Sequence, residues 1–243
     1  MDKKTATLLG LIFTDGCLSP KGVSSWRFYF SNKSQKLVSI FKVCMMHVFA
    51  LPAERVRLDI TADGLYRAIV DSKEDGNLFT RKFGTFRTLR YNNGQLPDTH
   101  LPVEELIKHK VVKEFLQAAF CCDGGVSLYV GRSRKIVNKS KWLVRGVYLA
   151  CAHPTLRMEY ITLLKSCGVI AHDAGDGKVK IRDKENIEKF HQSVGFIEGV
   201  RITHASKFWP DIEKQKLLER LVHSYQNPKE IYLLSQFANK VMI

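Results

Sequence analysis

An apolar helix that ends in Asp-Gly occurs twice in this chain, and the duplication limits the folds that the chain can adopt. The first copy is LLGLIFTDG at residues 8–16, and the second, more divergent copy is LQAAFCCDG at residues 116–124. Both copies are too apolar for a surface helix and too short to span a bilayer. We therefore expect each copy to be buried against another part of the protein.

Small side chains four residues apart mark one face of each predicted helix. They are Gly10 and Thr14 in the first copy, and Ala118 and Cys122 in the second. Residues at positions i and i+4 share a helix face, and a face of small side chains lets two helix backbones approach closely. The pattern predicts that the two helices pack on each other through these four residues.

Each copy also carries an aspartate near its C-terminal end, Asp15 in the first and Asp123 in the second. This end of a helix already bears partial negative charge, so two carboxylates placed there side by side are unfavourable. A hard divalent cation between them reverses this, because carboxylate and carbonyl oxygens are the ligands that Mg²⁺ prefers. Asp-Gly is also a common helix stop, but the matched spacing of the two copies favours paired metal ligands.

The segments that follow the two motifs have the same predicted order of strands and helices. The first half has strand patterns at 26–30, 56–60 and 66–70 and helices at 34–49 and 73–83. The second half has strand patterns at 126–130, 143–150 and 178–182 and helices at 155–167 and 184–194. These assignments follow from hydrophobic periodicity and turn residues.

The repeat predicts two halves joined by a linker. The linker, residues 91–102, contains Asn, Gly and Pro residues that interrupt both helices and strands. The N-terminal half then covers residues 1–90, and the C-terminal half covers residues 103–243. The second half ends in two additional helical patterns, at 211–226 and 228–240.

The charge of the chain indicates a polyanionic partner. Its 38 Lys and Arg against 24 Asp and Glu give a formal net charge of +14, divided into +6 for residues 1–100 and +8 for residues 101–243. No long apolar run or secretory leader is evident, so we expect an intracellular protein without a membrane partner. The six cysteines include no C-x-x-C pair and so show no zinc-ligand spacing.

Basic and aromatic side chains recur on the predicted strands of both halves. Alternation in residues 178–182 places Lys178, Lys180 and Arg182 on one face of a sheet, with the intervening valine and isoleucine in the core. Such faces can follow phosphates and read base edges in the major groove. The DNA contacts predicted for the first half are Arg27, Tyr29, Arg55, Arg57 and Arg67. Those predicted for the second half are Tyr129, Arg132, Arg134, Lys135, Lys139, Lys141, Arg145, Tyr148, Lys178, Lys180 and Arg182.

The two Asp-Gly helices resemble the motif of the LAGLIDADG homing endonucleases, in the single-chain form that carries two motifs. The resemblance covers the chain up to about Phe196. It implies an α+β fold of two pseudo-symmetric αββαββα repeats, with antiparallel DNA-binding sheets and a central interface of the two motif helices. It also implies an intron-encoded, site-specific endonuclease that acts as a monomer on a long, asymmetric double-stranded DNA target and cuts each strand once across the minor groove.

The same resemblance implies roles for particular residues. Asp15 and Asp123 would hold Mg²⁺, and Mn²⁺ or Ca²⁺ could occupy the same sites. The family's polar residue and lysine at the end of a strand fall on Asn32 and Lys33. The second half has no lysine in the corresponding segment, and His153, Arg132 and Arg134 are the alternatives there. The two active sites are therefore expected to be unequal.

Two other functions fit the same residues. Some relatives act as RNA maturases that assist the splicing of their host intron, in which case intron RNA would be a partner. Alternatively, the chain could be a DNA-binding protein of this fold that does not cleave. The presence of both acidic residues favours the nuclease.

Overall fold

Each half of the chain forms one four-stranded antiparallel sheet covered on one face by helices. The computed structural model describes residues 1–22, 25–132 and 141–229, with the backbone alone for Arg132 and Lys141. The elements of the first half are α1 (Lys3–Ile12), β1 (Gly16–Lys21), β2 (Ser25–Asn32), α2 (Gln35–Val48), a 3-10 turn (Ala53–Arg55), β3 (Arg57–Ile60), β4 (Tyr66–Ser72) and α3 (Lys73–Phe83). Those of the second half are α4 (Val103–Lys108), α5 (Val112–Asp123), β5 (Gly124–Arg132), β6 (Lys141–Ala150), α6 (Pro154–Ser166), β7 (His172–Asp173), β8 (Lys178–Ile181), α7 (Lys184–Ser193) and α8 (Lys214–His223).

The two sheets have the same topology and the same register. Their strand orders are β1-β2-β4-β3 and β5-β6-β8-β7. Gly16, which follows the first motif aspartate, lies opposite Phe30, and Gly124, which follows the second, lies opposite Leu149. The predicted α+β fold of two αββαββα repeats is therefore confirmed.

Alternation along the strands separates a buried face from an open face in each sheet. In β2, Phe28 and Phe30 are fully buried, so the residues between and before them lie on the opposite face. In β8, Val179 and Ile181 are buried as predicted, while the two lysines are partly exposed. Each open face is therefore the polar face that the sequence predicts.

The motif helices α1 and α5 pack tightly on each other at the centre of the molecule. A Cβ atom added to Gly10 would lie 2.9 Å from Cβ of Ala118 and would clash with the backbone oxygen of Phe115. Only glycine permits this approach without displacing α5. Nearer the C-terminal ends, Cys122 is hydrogen-bonded to Thr14. The four small residues thus lie in one interface between the helices.

The predicted boundaries differ from the observed ones in several places. The edge strands β1 and β7 and the short helix α4 were not predicted, because β1 contains Pro20, β7 has two residues and α4 has six. The helix predicted at 211–226 begins only at Lys214, since Asp211 has a positive φ of 60° that a right-handed helix cannot contain. The helix predicted at 228–240 lies almost entirely outside the described residues. In the part of the chain that is described, no helix is long and apolar enough to cross a membrane.

Candidate metal centre and nucleic-acid interface

The C-terminal ends of the two motif helices bring Asp15 and Asp123 into one partly buried site. Asp15 lies just after α1, and Asp123 is the last residue of α5. Burial raises the pKa of Asp15. Burial, together with the negative charge of Asp15, raises the pKa of Asp123 to about 7. Both carboxylates are therefore disfavoured in their charged forms, and a cation placed between them would relieve this cost.

Asp15 has hydrogen-bond partners from both halves. Nδ2 of Asn32 donates to Oδ2 of Asp15 over 2.6 Å, and the Cys122 thiol also bonds to this carboxylate. Oδ1 of Asn32 accepts from the backbone N of Ser34 over 2.7 Å, which fixes the orientation of the amide. The bonds from Asn32 and Cys122 favour the ionised carboxylate, so they offset part of the rise in the pKa of Asp15.

Asp123 has no equivalent amide partner in the described structure. The shared register places Cys151 where the first half has Asn32, two residues after the residue opposite the motif glycine. The thiol of Cys151 donates instead to the backbone oxygen of His153 over 3.5 Å. The first half therefore has an amide that binds its motif carboxylate, and the equivalent residue of the second half binds the backbone instead.

The structure excludes His153 as the basic catalytic residue of the second half. Its side chain is only 3% exposed. Nδ1 accepts from the backbone N of Leu156 at the start of α6, and Nε2 bonds to the backbone oxygen of Pro97 over 2.9 Å. Both ring nitrogens are thus used to cap a helix and to fix the linker. Of the other two alternatives, Arg134 lies outside the described residues and only the backbone of Arg132 is described.

Lys214, the first residue of α8, is a cation in the site that sequence reasoning missed. Lys214 is only 8% exposed, and its Nζ donates to the backbone oxygens of Cys121 and Gly124, each over 2.7 Å. A helix end leaves such carbonyls without intrahelical partners. Burial lowers the pKa of Lys214. The positive charge of Lys214 offsets part of the rise in the pKa of Asp15 and of Asp123. Lys214 therefore both completes the end of α5 and offsets the charge of the carboxylates.

A sequence signal for Lys214 exists in the pattern of α8. Leu217, Leu218 and Leu221 are fully buried and form the apolar stripe of this helix. Lys214 stands three and four residues before the first two leucines, so it belongs to the same stripe. A lysine on a buried stripe requires a partner, so this position marks Lys214 as a candidate from the sequence alone.

A cavity of about 1160 Å³ opens beside Asp15, between the two halves, and the neighbours of Asp123, Cys122 and Gly124, also line it. Asp15, Asn32, Lys33 and Lys214 all line it, together with the segment at residues 199–206. Lys33 is exposed, and its charge acts on Asp63 in the turn between β3 and β4. Lys33 is therefore part of the cavity wall, whereas Lys214 is the lysine whose charge acts on the two aspartates.

The open face of the first sheet gathers most of the DNA contacts predicted for this half. The predicted contacts Arg27 and Arg57, together with Lys21, which was not predicted, each form an ion pair with Asp71. These cations hold the pKa of Asp71 far below its usual range, with the hydrogen bond from Arg27 as the largest cause. Two further predicted contacts, Tyr29 on β2 and Arg67 on β4, lie on this face by register. The last, Arg55, lies beside it in the 3-10 turn.

The open face of the second sheet combines lysines with aromatic side chains. Tyr148 lies opposite Lys180, and Nζ of Lys178 lies 5.3 Å from the centroid of the Tyr148 ring. Tyr129 is stacked on Phe208, with ring centroids 4.7 Å apart. Arg182 is exposed just beyond β8. The predicted contacts Lys135 and Lys139 lie outside the described residues, as Arg134 does, and the Lys141 side chain is not described.

Arg145 was predicted to contact DNA, and this prediction is wrong. The residue lies opposite Leu128 in the register of β5 and β6, on the same face as the buried Val147. Its Nε donates to Oγ of Ser224 over 2.9 Å, and its guanidinium lies 4.5 Å from the centroid of the Tyr225 ring. The alternation of the strand turns Arg145 toward the core, where the end of α8 binds it.

Comparison with solved structures extends the resemblance to the whole fold. No family model matches the chain, and no curated protein matches it. The meganuclease I-SmaMI bound to uncleaveable DNA is 10% identical, with a TM-score of 0.54 over 97% of this chain and 96% of that chain. I-DmoI in complex with DNA and Mn is 16% identical, with a TM-score of 0.50 over 79% of this chain and 96% of that chain.

Mesophilic variants of the homing endonuclease I-DmoI give a similar result. They are 17% identical, with a TM-score of 0.50 over 90% of this chain and 97% of that chain. At such low identity the likeness concerns the fold, and it spans nearly the full length of the compared structures. The chain therefore has the two-repeat fold of the single-chain LAGLIDADG homing endonucleases.

Proposed function

We propose that this protein is a divalent-metal-dependent endonuclease that cuts a specific double-stranded DNA target. The observation that carries the proposal is the partly buried pair Asp15 and Asp123 at the ends of two packed helices, each followed by a sheet with a basic open face. Two neighbouring carboxylates that are partly buried are unfavourable unless positive charge offsets them, and Lys214 supplies only one such charge. The position of the pair at the start of two sheets with cationic faces places it where a bound phosphate backbone would pass.

The residues present fit a magnesium site that is completed by the substrate. Among the described residues, no group of three or more His, Cys, Asp or Glu could hold a metal ion. Asp15 and Asp123 would hold Mg²⁺, with the remaining positions taken by backbone carbonyls, water and phosphate oxygens. Mg²⁺ is commonly bound by one or two carboxylates together with substrate phosphates, and Mn²⁺ or Ca²⁺ would use the same oxygen ligands.

The chain's own residues prepare the site for hydrolysis. When bound, a divalent ion supplies an activated water and neutralises charge at the leaving oxygen. Asn32 keeps Asp15 oriented and ionised through its 2.6 Å hydrogen bond. Lys214, fixed on the last carbonyls of α5, offsets the charge of both aspartates. Lys33 in the cavity wall would contact the phosphate that enters.

The duplication indicates one chain acting on both strands. Each repeat contributes one aspartate and one DNA-binding face, so a monomer would hold a long, asymmetric target and hydrolyse one phosphodiester per strand across the minor groove. The two strands would be cut at different rates, because Asp15 is paired with Asn32 whereas Cys151 stands at the equivalent position near Asp123.

A selection for cleaved sequences tests this function and identifies the target in the same experiment. A randomised duplex library is incubated with the protein and Mg²⁺, and the cleaved ends are sequenced. We expect one preferred sequence with a single cut in each strand, and no cutting in EDTA. The Asp15→Asn, Asp123→Asn double variant should bind this sequence without cutting it. Cutting by the double variant at the wild-type rate would refute the proposal.

A further inference from the structure

We propose that Arg27 and Arg67 read guanine bases, and that Asp71 and Asp59 are positioning residues that hold the two guanidinium groups for this contact. The inference rests on the proposed DNA binding and adds the base that each arginine recognises. It also assigns a role to two acidic residues on a face whose expected partner is a polyanion.

Both arginines are held side-on by a carboxylate. Nε of Arg27 donates to Oδ1 of Asp71 over 2.8 Å, and its Nη2 donates to Oδ2 over 3.1 Å. Nε of Arg67 donates to Oδ1 of Asp59 over 2.8 Å, and its Nη2 donates to Oδ2 over 2.8 Å. The same pair of nitrogens is used in both contacts, so the same edge of each guanidinium stays uncovered.

The uncovered edge matches guanine. Arginine has five N–H donors in a planar fork, and the side-on contact uses the Nε hydrogen and one Nη2 hydrogen. The second Nη2 hydrogen and both Nη1 hydrogens remain on the outer edge. Guanine presents two acceptors, O6 and N7, to the major groove, whereas adenine presents a donor beside its N7. A fixed arginine edge therefore favours guanine over adenine.

The side chain of Asp71 is positioned beneath the cations that surround it. It is 22% exposed, compared with 49% for Lys21 and 59% for Arg57, which bind the same carboxylate over 2.6 and 2.9 Å. Arg27 is 35% exposed, so a base edge would meet Arg27 before it meets Asp71. In the second pair Arg67 is 36% and Asp59 45% exposed, so a base edge would reach both groups there. Three cations around one carboxylate also leave the cluster positively charged, so it can still attract DNA phosphates.

The register gives the spacing of the two contacts. Arg27 lies opposite Asp71 on β4, and Arg67 lies opposite Ser31 on β2, so the two positions are four residues apart along β2. Four residues of a strand cover about 13 Å, which corresponds to about four base-pair steps of duplex. The two guanines should therefore lie about three to five base pairs apart in the half of the target that the first sheet contacts.

The second sheet has a different arrangement. On the open face of its described residues, no arginine is held side-on by a carboxylate. Lys178 lies over Tyr148, and Lys180 pairs with Asp176 over 2.6 Å. A lysine acts as a point charge and lacks the planar fork of arginine. We therefore expect stricter guanine preference in the half-target that the first sheet contacts.

A binding selection in EDTA tests the assignment, because it measures base preference without cleavage. Duplexes from a randomised library are recovered with the wild type and with Arg27→Lys, Arg67→Lys, Asp71→Asn and Asp59→Asn. Each lysine variant keeps its charge and should lose about tenfold or more of the guanine preference at one position. Asp71→Asn should relax the same position as Arg27→Lys, and Asp59→Asn the same position as Arg67→Lys. Glu54→Gln, which removes an exposed acid of the same half, should relax neither.

The outcomes separate this inference from the proposed function. If Arg27→Lys lowers affinity equally for all sequences, Arg27 contacts phosphate and the inference is wrong. If Asp71→Asn and Arg27→Lys relax different positions, Asp71 does not position Arg27. A wild type that selects guanine at both positions but does not cut in Mg²⁺ upholds the inference and contradicts the nuclease. A wild type that selects no sequence overturns both. Thermal unfolding of each variant identifies any that fail to fold.

Discussion

The two halves of the molecule have the same backbone topology but differ around their motif aspartates. Strand order and register are the same in both, down to the residue opposite each motif glycine. At equivalent backbone positions, the first half has the amide of Asn32 near Asp15, and the second half has the thiol of Cys151 near Asp123. The difference shows that equivalent backbones can hold two carboxylates with different hydrogen-bond environments.

The largest expected effect on the cleavage rate comes from replacing the two motif aspartates. Asp15→Asn and Asp123→Asn each remove a proposed metal ligand, so each should lower the cleavage rate by about a thousandfold or more. Rates are measured in Mg²⁺ on the selected target, with affinity in EDTA as the control. Either variant cutting both strands at the wild-type rate would show that the pair does not act in the reaction.

Lys214 offers the next largest effect, with Lys33 as its matched control. Lys214→Met leaves the buried oxygens of Cys121 and Gly124 without their donor, so we expect the free energy of unfolding to fall by about 2 kcal/mol. Lys33→Met changes an exposed position and should alter it by about 0.5 kcal/mol or less. Urea unfolding measures both, and equal effects would contradict the role given to Lys214.

A smaller effect is expected where the two halves differ most directly. Asn32→Ala removes the hydrogen bond that orients Asp15 and favours its ionised form, so the pKa of Asp15 should rise further and the rate on one strand should fall by about tenfold. The loss should shrink as the pH is raised.

Cys151→Asn, which gives the second half the amide of the first, should raise the rate on the slower strand. Strand-specific end labels distinguish these results, and an equal loss on both strands would argue against separate environments.

The last effect concerns stability and pH. Because the pKa of Asp123 is raised from 3.8 to about 7 by burial and by Asp15, the folded chain retains a proton that the unfolded chain releases. The free energy of unfolding of the metal-free protein should therefore fall as the pH rises from about 4 to about 7. Stabilisation by Mg²⁺ should be larger at pH 8 than at pH 5, since protons compete with the metal.

Melting temperatures with and without Mg²⁺ at both pH values check this expectation. Asp123→Asn serves as the control, because it removes the titrating group and should reduce the pH dependence of the metal-free protein. A shift of the same size at both pH values would indicate that Mg²⁺ does not bind at the carboxylate pair.

Much of the fold was predictable because the sequence repeats. The periodicity of the apolar residues located most helices and strands, and the small residues located the packing of α1 on α5. The edge strands were missed because they depend on pairing with a neighbour rather than on their own composition, as Pro20 in β1 illustrates. Strand pairing of this kind is a tertiary property that local propensity does not contain.

The site was predictable only in part, for reasons that particular residues make clear. Asp15 and Asp123 follow from the motif, but Lys214 reaches them from a helix about 90 positions further along than Asp123 and is recognised only through its buried stripe. Arg145 was misassigned because a run of basic residues suggests that all of them lie on the open face of the sheet. Alternation along the strand instead turns every second residue toward the buried face. His153 was considered as the basic residue of the second half, in the place of the missing lysine, although both of its nitrogens have structural partners.

The central claim is that one metal-dependent protein contains two unequal half-sites. It is tested most directly by a time course of cleavage of a supercoiled plasmid that carries the selected target, with the first-cut strand identified by sequencing. The account predicts a transient nicked circle in which the same strand is always cut first, followed by linear DNA, and no product without divalent metal. Nicked circles with either strand cut first at equal frequency would contradict it.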